Sequence, residues 1–443
     1  GRMAWGQPAA QNELLIERVR ASDPALTALH LLPFRRLSDE ELTQLMAAVK
    51  TNTALQELGV VKPLPPSALE ALADALAANQ RLRTLSAGNN TLADEGVAIL
   101  CRQGLQHNEG LRCVDFSLKG MGPAGAAAVG HVLWTHKTVV DVSLCDNLLG
   151  DDGLRNLLRG YRVAADATVA TPAGCKLEVL RLDRVGLTGA GGSALGSFLS
   201  SPATNTALAN LTVISLNGNN LATSPEDRQD CLELYLALGR LPKLVTLEMD
   251  GCQIGDRGVE TLCLGLLDRL HAGCASASFV KKLSLGNNNL SAVAASNLAH
   301  LLASAEKHLG IKMPHLLALS GNKLGDSGAE LLASASSVAR LEDVDRMERD
   351  LHIDLSKNDL TPKALAAFAT KSCMATTLEF LGNDFSSLTL DGDESLQAKV
   401  LLALGDGDVI LPKLRSLDLS GVYLREVDVV RLVQLMSNEN AMP

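Results

Sequence analysis

Val280-x-x-Leu283-x-Leu285-x-x-Asn288-x-Leu290 decides the fold of this 443-residue chain, because the frame keeps returning. It stands at Leu82-x-x-Leu85-x-Ala87-x-x-Asn90-x-Leu92, at Val139-x-x-Val142-x-Leu144-x-x-Asn147-x-Leu149 and at Leu211-x-x-Ile214-x-Leu216-x-x-Asn219-x-Leu221. Self-similarity at such a period marks a solenoid. Thirteen frames can be placed, starting at Leu26, Leu55, Leu82, Leu111, Val139, Leu177, Leu211, Leu244, Val280, Pro314, Asp350, Ala375 and Leu414. The first five lie 27 to 29 residues apart; later spacings reach 38 or 39, with one contraction to 25. The frames at Pro314, Asp350 and Ala375 are degraded, yet keep Asn322, Asn358 and Asn383.

Each position has a physical job. The x-L-x-L-x stretch alternates, so it predicts a short strand with one face buried. The Asn falls where the chain leaves the strand and turns. Backbone groups buried in that turn need partners, and a carboxamide brings both a donor and an acceptor. The predicted structural ladder is Asn90, Asn147, Asn219, Cys252, Asn288, Asn322, Asn358 and Asn383, with Lys119, Val185 and Val422 departing from it. A second signature follows the turn: Leu149-Gly150-Asp151-Asp152-Gly153, Ile254-Gly255-Asp256-Arg257-Gly258, Leu324-Gly325-Asp326-Ser327-Gly328 and, nearly, Leu92-Ala93-Asp94-Glu95-Gly96. The Asp suits a helix N-cap, and the second Gly allows close packing in the first turn. Each unit is then one strand plus one full helix. Because helices are wider than strands, stacking predicts an α/β solenoid curved into a horseshoe. A parallel β-sheet lines its concave face and helices its convex face, over about 13 repeats.

The period, the frame and the G-D-x-G helix start resemble ribonuclease-inhibitor-type leucine-rich repeats. The lead-ins Asn52-Thr53-Ala54-Leu55 and Asn108-Glu109-Gly110-Leu111 are similar to those of that class. The resemblance covers residues 26–436 and specifies the fold; it leaves function open. The class it implies includes nuclease inhibitors, activators of the Ran GTPase, innate-immune sensor domains, actin-capping proteins and axonemal scaffold subunits.

The organisation read from the sequence is a leader and capping helix over residues 1–25, one repeat domain over 26–436 and a tail over 437–443. Repeats are regular over 26–176 and insertion-rich over 177–436. Gly1-Arg2-Met3 reads as a scar ahead of a native Met, and no signal peptide is visible. In the leader, Leu14, Leu15 and Val19 make the apolar face of a cap. Ser38-Asp39-Glu40-Glu41 reads as a capping box, and residues 426–436 as a last helix. The insertions include 161–176, 200–210, 222–230, 271–279, 304–312, 333–349 and 386–411. Most fall between a helix and the next strand, on one rim, where long loops are often functional.

Hydrophobic residues make up 47% of the chain but aromatics only 3%, so the core is aliphatic. The net charge of −10 argues against nucleic-acid binding, which needs clustered Lys and Arg. Nine cysteines, an odd count with no C-x-x-C, read as reduced, mostly buried thiols of an intracellular, cytoplasmic protein. No apolar run approaches the roughly eighteen residues of a membrane span.

The fifth frame position points away from the buried leucines. That column reads His30, Gly59, Ser86, Asp115, Ser143, Arg181, Ser215, Glu248, Ser284, Ala318, Asp354, Glu379 and Asp418. Its last three rungs are acidic. On strands about 5 Å apart, Asp354, Glu379 and Asp418 form a carboxylate ladder whose repulsion a basic partner relieves. Asp384, Asp391, Asp393, Glu394, Asp406 and Asp408 add acid nearby. The competing reading is a solvated face that aids solubility. A second group, Arg181, Asp183, Glu248 and Asp250, reads equally as internal pairing or as a site.

No catalytic constellation or cofactor motif survives inspection. Gly189-Ala190-Gly191-Gly192 lacks the last glycine of a dinucleotide loop, where Ala194 stands, and falls in repeat register. Carboxylate-rich 391–394 and 406–408 lack calcium-loop spacing, and the histidines lack metal spacing. His107, His136, His300 and His308 read as surface or helix residues.

A noncatalytic scaffold or adaptor for protein partners is the expected function, with axonemal or cytoskeletal scaffolding implied by family analogy alone. The alternative is a GTPase activator of the Ran-activator type. That family ends in a long acidic tail, and this chain ends Ser437-Asn438-Glu439-Asn440-Ala441-Met442-Pro443. Ribonuclease inhibitors look richer in Cys and carry concave Trp, whereas only Trp5 and Trp134 occur here and neither falls on that face. An immune-sensor repeat domain completes the set.

Overall fold

The computed structural model describes residues 8–166, 175–201, 208, 210–222, 224–273, 279–309, 314–336, 351–370, 375–383 and 416–418. The chain divides into two compact units, Gly1–Ile214 and Ser215–Pro443. Every one of the thirteen frames carries a strand.

In the first unit the strands are β1 (Ala28–Leu31), β2 (Glu57–Val60), β3 (Thr84–Ala87), β4 (Cys113–Asp115), β5 (Asp141–Ser143) and β6 (Val179–Arg181). They pair in parallel and in chain order, with Leu29, Leu58, Leu85, Val114, Val142 and Leu180 in register. Those six side chains are buried, and the helices between strands cover them. The helices are α1 (Pro8–Arg20), α2 (Asp39–Val49), α3 (Pro66–Ala78), α4 (Ala93–Ile99), α5 (Pro123–Leu133), α6 (Gly150–Asp166) and α7 (Gly189–Ser200). Strand β7 (Val213–Ser215) falls where the units divide.

The second unit repeats the scheme. Strands β8 (Thr246–Glu248), β9 (Lys282–Ser284), β10 (Leu316–Ala318), β11 (His352–Asp354), β12 (Thr377–Glu379) and β13 (Ser416–Asp418) are parallel and sequential. Its helices are α8 (Pro225–Asp230), α9 (Leu232–Arg240), α10 (Gly255–His271), α11 (Ala292–Leu309), α12 (Gly325–Ala335) and α13 (Pro362–Thr370). This is an α/β leucine-rich-repeat solenoid. Among the described residues no helix is long and apolar enough to cross a membrane.

Asparagines join repeat to repeat. Asn322 is 3% exposed; its Oδ1 accepts Asn288 N (2.9 Å) and Leu290 N (3.1 Å), and its Nδ2 donates to Leu285 O (3.0 Å) and Leu319 O (2.7 Å). Asn147, Asn288 and Asn383 do the same, each accepting two amides of the preceding repeat. Asn358 accepts Leu324 N and donates to Leu319 O, and Asn219 donates to Leu216 O. Cys252 takes a donor's part there, its Sγ lying 3.1 Å from Leu216 O. Asn90 is the exception to the predicted ladder: it is exposed. In that repeat Asn89 Oδ1 takes Thr91 N and Thr91 Oγ1, an Asx turn that bends the chain one residue early. Lys119 and Val185 fill the ladder position in their repeats, both buried. Burial lowers the Lys119 pKa, and the Asp115 charge opposes that shift.

A second column lies at the lead-ins. Asn52, Asn79 and Asn108 each donate Nδ2 to carbonyls of the preceding repeat and accept the amides two and three residues ahead. His136 takes the next place, correcting its reading as a surface or helix residue. It is buried, and its Nδ1 accepts Thr138 N and Val139 N. Burial lowers its pKa, so the neutral Nε2–H tautomer is the one that fits.

The Asp of the helix-start signature does not cap its own helix. Asp326 Oδ1 accepts Thr361 N and its Oδ2 accepts Thr361 Oγ1, at 2.8 and 2.6 Å, in the following repeat. Asp256 binds Ser291, Asp151 binds Thr188, and Asp94 takes Gly122 N and Gly125 N, each in the same way. One carboxylate thus holds the start of the next helix. The signature's last glycine is needed for contact: a Cβ at Gly258 would stand 2.9 Å from the Tyr235 ring.

The leader helix α1 buries Leu15, Ile16 and Val19, whereas Leu14 is 62% exposed, so the capping face sits one residue further round than read. The Ser38 box is formed, Ser38 Oγ accepting Glu41 N and Glu41 Oε2 accepting Ser38 N. Among the described residues the one-helix-per-repeat scheme breaks twice. After α4 come a π segment (Leu100–Gly104) and a short 3-10 turn (Leu105–His107), and α8 and α9 split one repeat. Residues 426–436 and most of the insertions lie outside the described residues.

Candidate functional site

The exposed face of the sheet is built by the third and fifth frame positions, which point opposite to the buried leucines. In the first unit its charges are paired apart from Asp115, which accepts the Ser86 hydroxyl at 3.0 Å and Ser117 N at 2.9 Å. Arg181 Nη1 lies 2.6 Å from Asp141 Oδ1, Arg184 forks onto both oxygens of Asp146 (2.6 and 2.8 Å), and His30 Nε2 lies 3.4 Å from Glu57. Asp183 approaches the Cys145 thiol, its Oδ2 3.5 Å from Sγ.

In the second unit Glu248 pairs with Lys282 at 2.5 Å. Asp250 accepts the Ser284 hydroxyl at 2.8 Å and Gly286 N at 2.6 Å. Burial raises the Asp250 pKa, with Glu248 pushing the same way and the Ser284 and Gly286 hydrogen bonds opposing. Of the second group read from the sequence, then, Arg181 and Asp183 have partners in the first unit, and Glu248 and Asp250 in the second.

The acidic rungs stand in cross-strand register: Asp354 opposite Glu379, and Glu379 opposite Asp418. All three are partly exposed. Asp354 Oδ1 accepts Ser356 N at 2.9 Å, and Glu379 Oε1 lies 2.8 Å from His352 Nε2. His352 is the residue that sequence reasoning missed. It sits at the third position of its frame, on the same face as Asp354, and that two-residue spacing was the available signal. Across β8 to β13 the third and fifth positions carry four carboxylates against Lys282 and His352. The face is therefore acidic, with the small Ser284 and Ala318 between its two acidic ends. Asp384, Asp391, Asp393, Glu394, Asp406 and Asp408 lie outside the described residues.

Among the described residues no thiol is set up as an activated nucleophile. Burial pushes Cys113 and Cys145 up, and Cys101 and Cys263 up to about 12, away from the reactive thiolate. Among the described residues no group of three or more His, Cys, Asp or Glu is placed to hold a metal. Trp134 is fully buried, away from the sheet face; Trp5 lies outside the described residues.

In each unit the arrangement defines a repeat array with an exposed parallel sheet face. Leucine-rich-repeat folds of this kind are built for contact with other proteins. The Leucine Rich repeat family model matches residues 240–263 and 315–333. Ribonuclease inhibitor of Sus scrofa is 30% identical over 327 residues, covering 68% of this chain and 64% of that protein. NACHT, LRR and PYD domains-containing protein 3 of Homo sapiens is 26% identical over 334 residues, covering 70% of this chain and 30% of that protein. Among solved structures, an internalin from Listeria monocytogenes aligns with a TM-score of 0.47 at 14% identity, over 95% of this chain and 99% of that one. The family match and these relatives support a leucine-rich-repeat protein of the ribonuclease-inhibitor type. It spans just under two thirds of the inhibitor and under a third of the NACHT protein.

Proposed function

We propose that this chain is a noncatalytic scaffold or adaptor that receives a basic protein partner on the exposed sheet face, at Asp354, Glu379 and Asp418. The observation that carries the reading is their cross-strand register. Neighbouring strands are about 4.8 Å apart, so three like charges share one column and raise one another's energy. Lys or Arg side chains entering that column relieve the repulsion. Lys282 pairs with Glu248 and His352 with Glu379, and the net charge of −10 favours a basic partner over the whole chain. The described cysteines are all free, which supports an intracellular, reducing location.

The neutral triple variant Asp354→Asn, Glu379→Gln, Asp418→Asn keeps shape and hydrogen-bonding capacity. Affinity capture from the native cell is expected to recover a basic partner with the natural chain and to lose it, by about tenfold or more, with the triple variant. Equal recovery with both chains means that the acidic face only aids solubility.

A second reading, inhibition of a ribonuclease, rests on the 30% identity to ribonuclease inhibitor. Titrating the purified chain into a ribonuclease assay tests it separately: stoichiometric loss of activity supports inhibition, and unchanged activity removes it.

A further inference from the structure

The geometry points to a second docking surface, at the opposite end of the chain and of opposite charge: an apolar rim formed by Leu32, Phe34 and Val61 that takes an acidic, apolar segment of a partner protein. The chain has few aromatic residues, and among the described residues those other than Phe34 are buried. Phe116, Phe198, Phe279, Phe368 and Phe380 are all buried, while Phe34 is 81% exposed. Two residues before it Leu32 is 43% exposed, and where the neighbouring strand ends Val61 is 48% exposed. Leu32 and Val61 occupy the seventh position of adjacent frames, one strand spacing apart, joined through Val61 N to Leu31 O at 3.0 Å. The same position in the next four frames holds Gly88, Ser117, Cys145 and Asp183, so large apolar side chains are confined to the first two rungs of the first unit.

The rim is pre-ordered. Arg35 donates Nε to Asn12 Oδ1 and Nη2 to Gln11 O, both at 3.1 Å, and Asn12 returns Nδ2 to Arg36 O at 2.7 Å. Lys62 Nζ donates to Arg35 O, tying the two loops together. Pro33, Pro63, Pro65 and Pro66 fix φ along the same stretches. A rigid rim holding an exposed aromatic loses little entropy on binding, and a buried aromatic anchor is the usual centre of a protein interface.

Charge selects the occupant. Residues 32–38 and 61–66 contain Arg35, Arg36 and Lys62 and no acidic residue, in a chain of net charge −10. The nearest acids along the chain are Asp39, Glu40 and Glu41 at the start of α2, and Glu41 is engaged with Ser38. A second copy docked by a two-fold axis would set these cations against themselves, which disfavours self-pairing. An acidic segment with two or three apolar side chains satisfies both the charge and the exposed carbon.

Random peptide libraries displayed on phage and panned against the full chain test this, followed by titration of the enriched peptides. The expected peptides place Asp or Glu beside apolar residues. Their affinity is expected to fall by about tenfold or more with Phe34→Ser and to be unchanged with Leu148→Ser, another exposed leucine of the first unit, 84% accessible. Phe34 is too exposed for its replacement to disturb the core. Enrichment of basic peptides, or equal affinity for the Phe34→Ser chain, overturns the proposal. Concentration-dependent self-association of the chain that Phe34→Ser abolishes also overturns it, by assigning the rim to a second copy.

Discussion

Replacing Asn322 by leucine is expected to lower the free energy of unfolding by about 3 kcal/mol. The same substitution at Asn90 is expected to cost less than about 0.5 kcal/mol, although both occupy one frame position. Asn322 satisfies four backbone groups, two amides of the preceding repeat and two carbonyls, in a turn shut away from water. Leucine is about the same size and leaves three of them without partners, the Leu319 carbonyl keeping its bond from Asn358 Nδ2. Part of that loss is recovered when the turn relaxes, so the expected cost is well below the sum of three isolated penalties. Asn90 is exposed and water replaces whatever it provides. Urea denaturation of the two variants beside the natural chain measures the difference. Because repeat arrays unfold piecewise, hydrogen exchange should place the loss in the strands and turns around β9 and β10. Equal costs at the two positions would contradict the ladder as described.

Trp134→Ala is expected to cost about 4 kcal/mol. The indole is fully buried and donates Nε1–H to Leu157 O at 2.7 Å. Its ring stands 5.6 Å from Tyr161 and 5.5 Å from Phe198, and those two rings are 5.4 Å apart. Three aromatics, from α6, α7 and the end of α5, therefore knit three successive repeats where the long insertions begin. Alanine removes the largest side chain of the cluster and leaves a cavity between helices that are already in contact. Trp134→Phe fills most of that space but removes the indole hydrogen bond to the Leu157 carbonyl, which keeps its place in the α6 helix, at an expected cost of about 1 kcal/mol. Thermal and urea unfolding of the pair separate the two contributions. A cost under about 1 kcal/mol for Trp134→Ala would show that the cluster is peripheral to the core.

The strands were legible because their signal is local. Alternation over five residues sets the buried face, and each of the thirteen frames carries its strand. The register of Asp354, Glu379 and Asp418 was legible for the same reason, since parallel strands in consecutive repeats align equivalent positions. What stayed hidden was decided between repeats. Asp326 looks like a cap for its own helix, yet its carboxylate reaches a threonine 35 residues away, a distance in sequence at which local propensity is silent. Asn90 fits the frame by letter, but the neighbouring Asn89 and Thr91 form a competing turn. His136 replaces an asparagine in the lead-in column, and a column is visible only after its neighbours are aligned in space. His352 stands outside the acidic fifth-position column, at the third position of its frame, which faces the same way and brings it to Glu379 of the next strand.

The claim that a partner lies on the exposed sheet face is tested most directly by site-specific photo-crosslinking in the native cell. A photoreactive amino acid is placed at Asp354, on the face, or at Glu330, exposed on α12 among the covering helices. The account predicts a crosslinked basic protein from position 354 and none of the same mass from position 330. Crosslinking of that protein from position 330 alone would contradict it and move the binding surface to the helices.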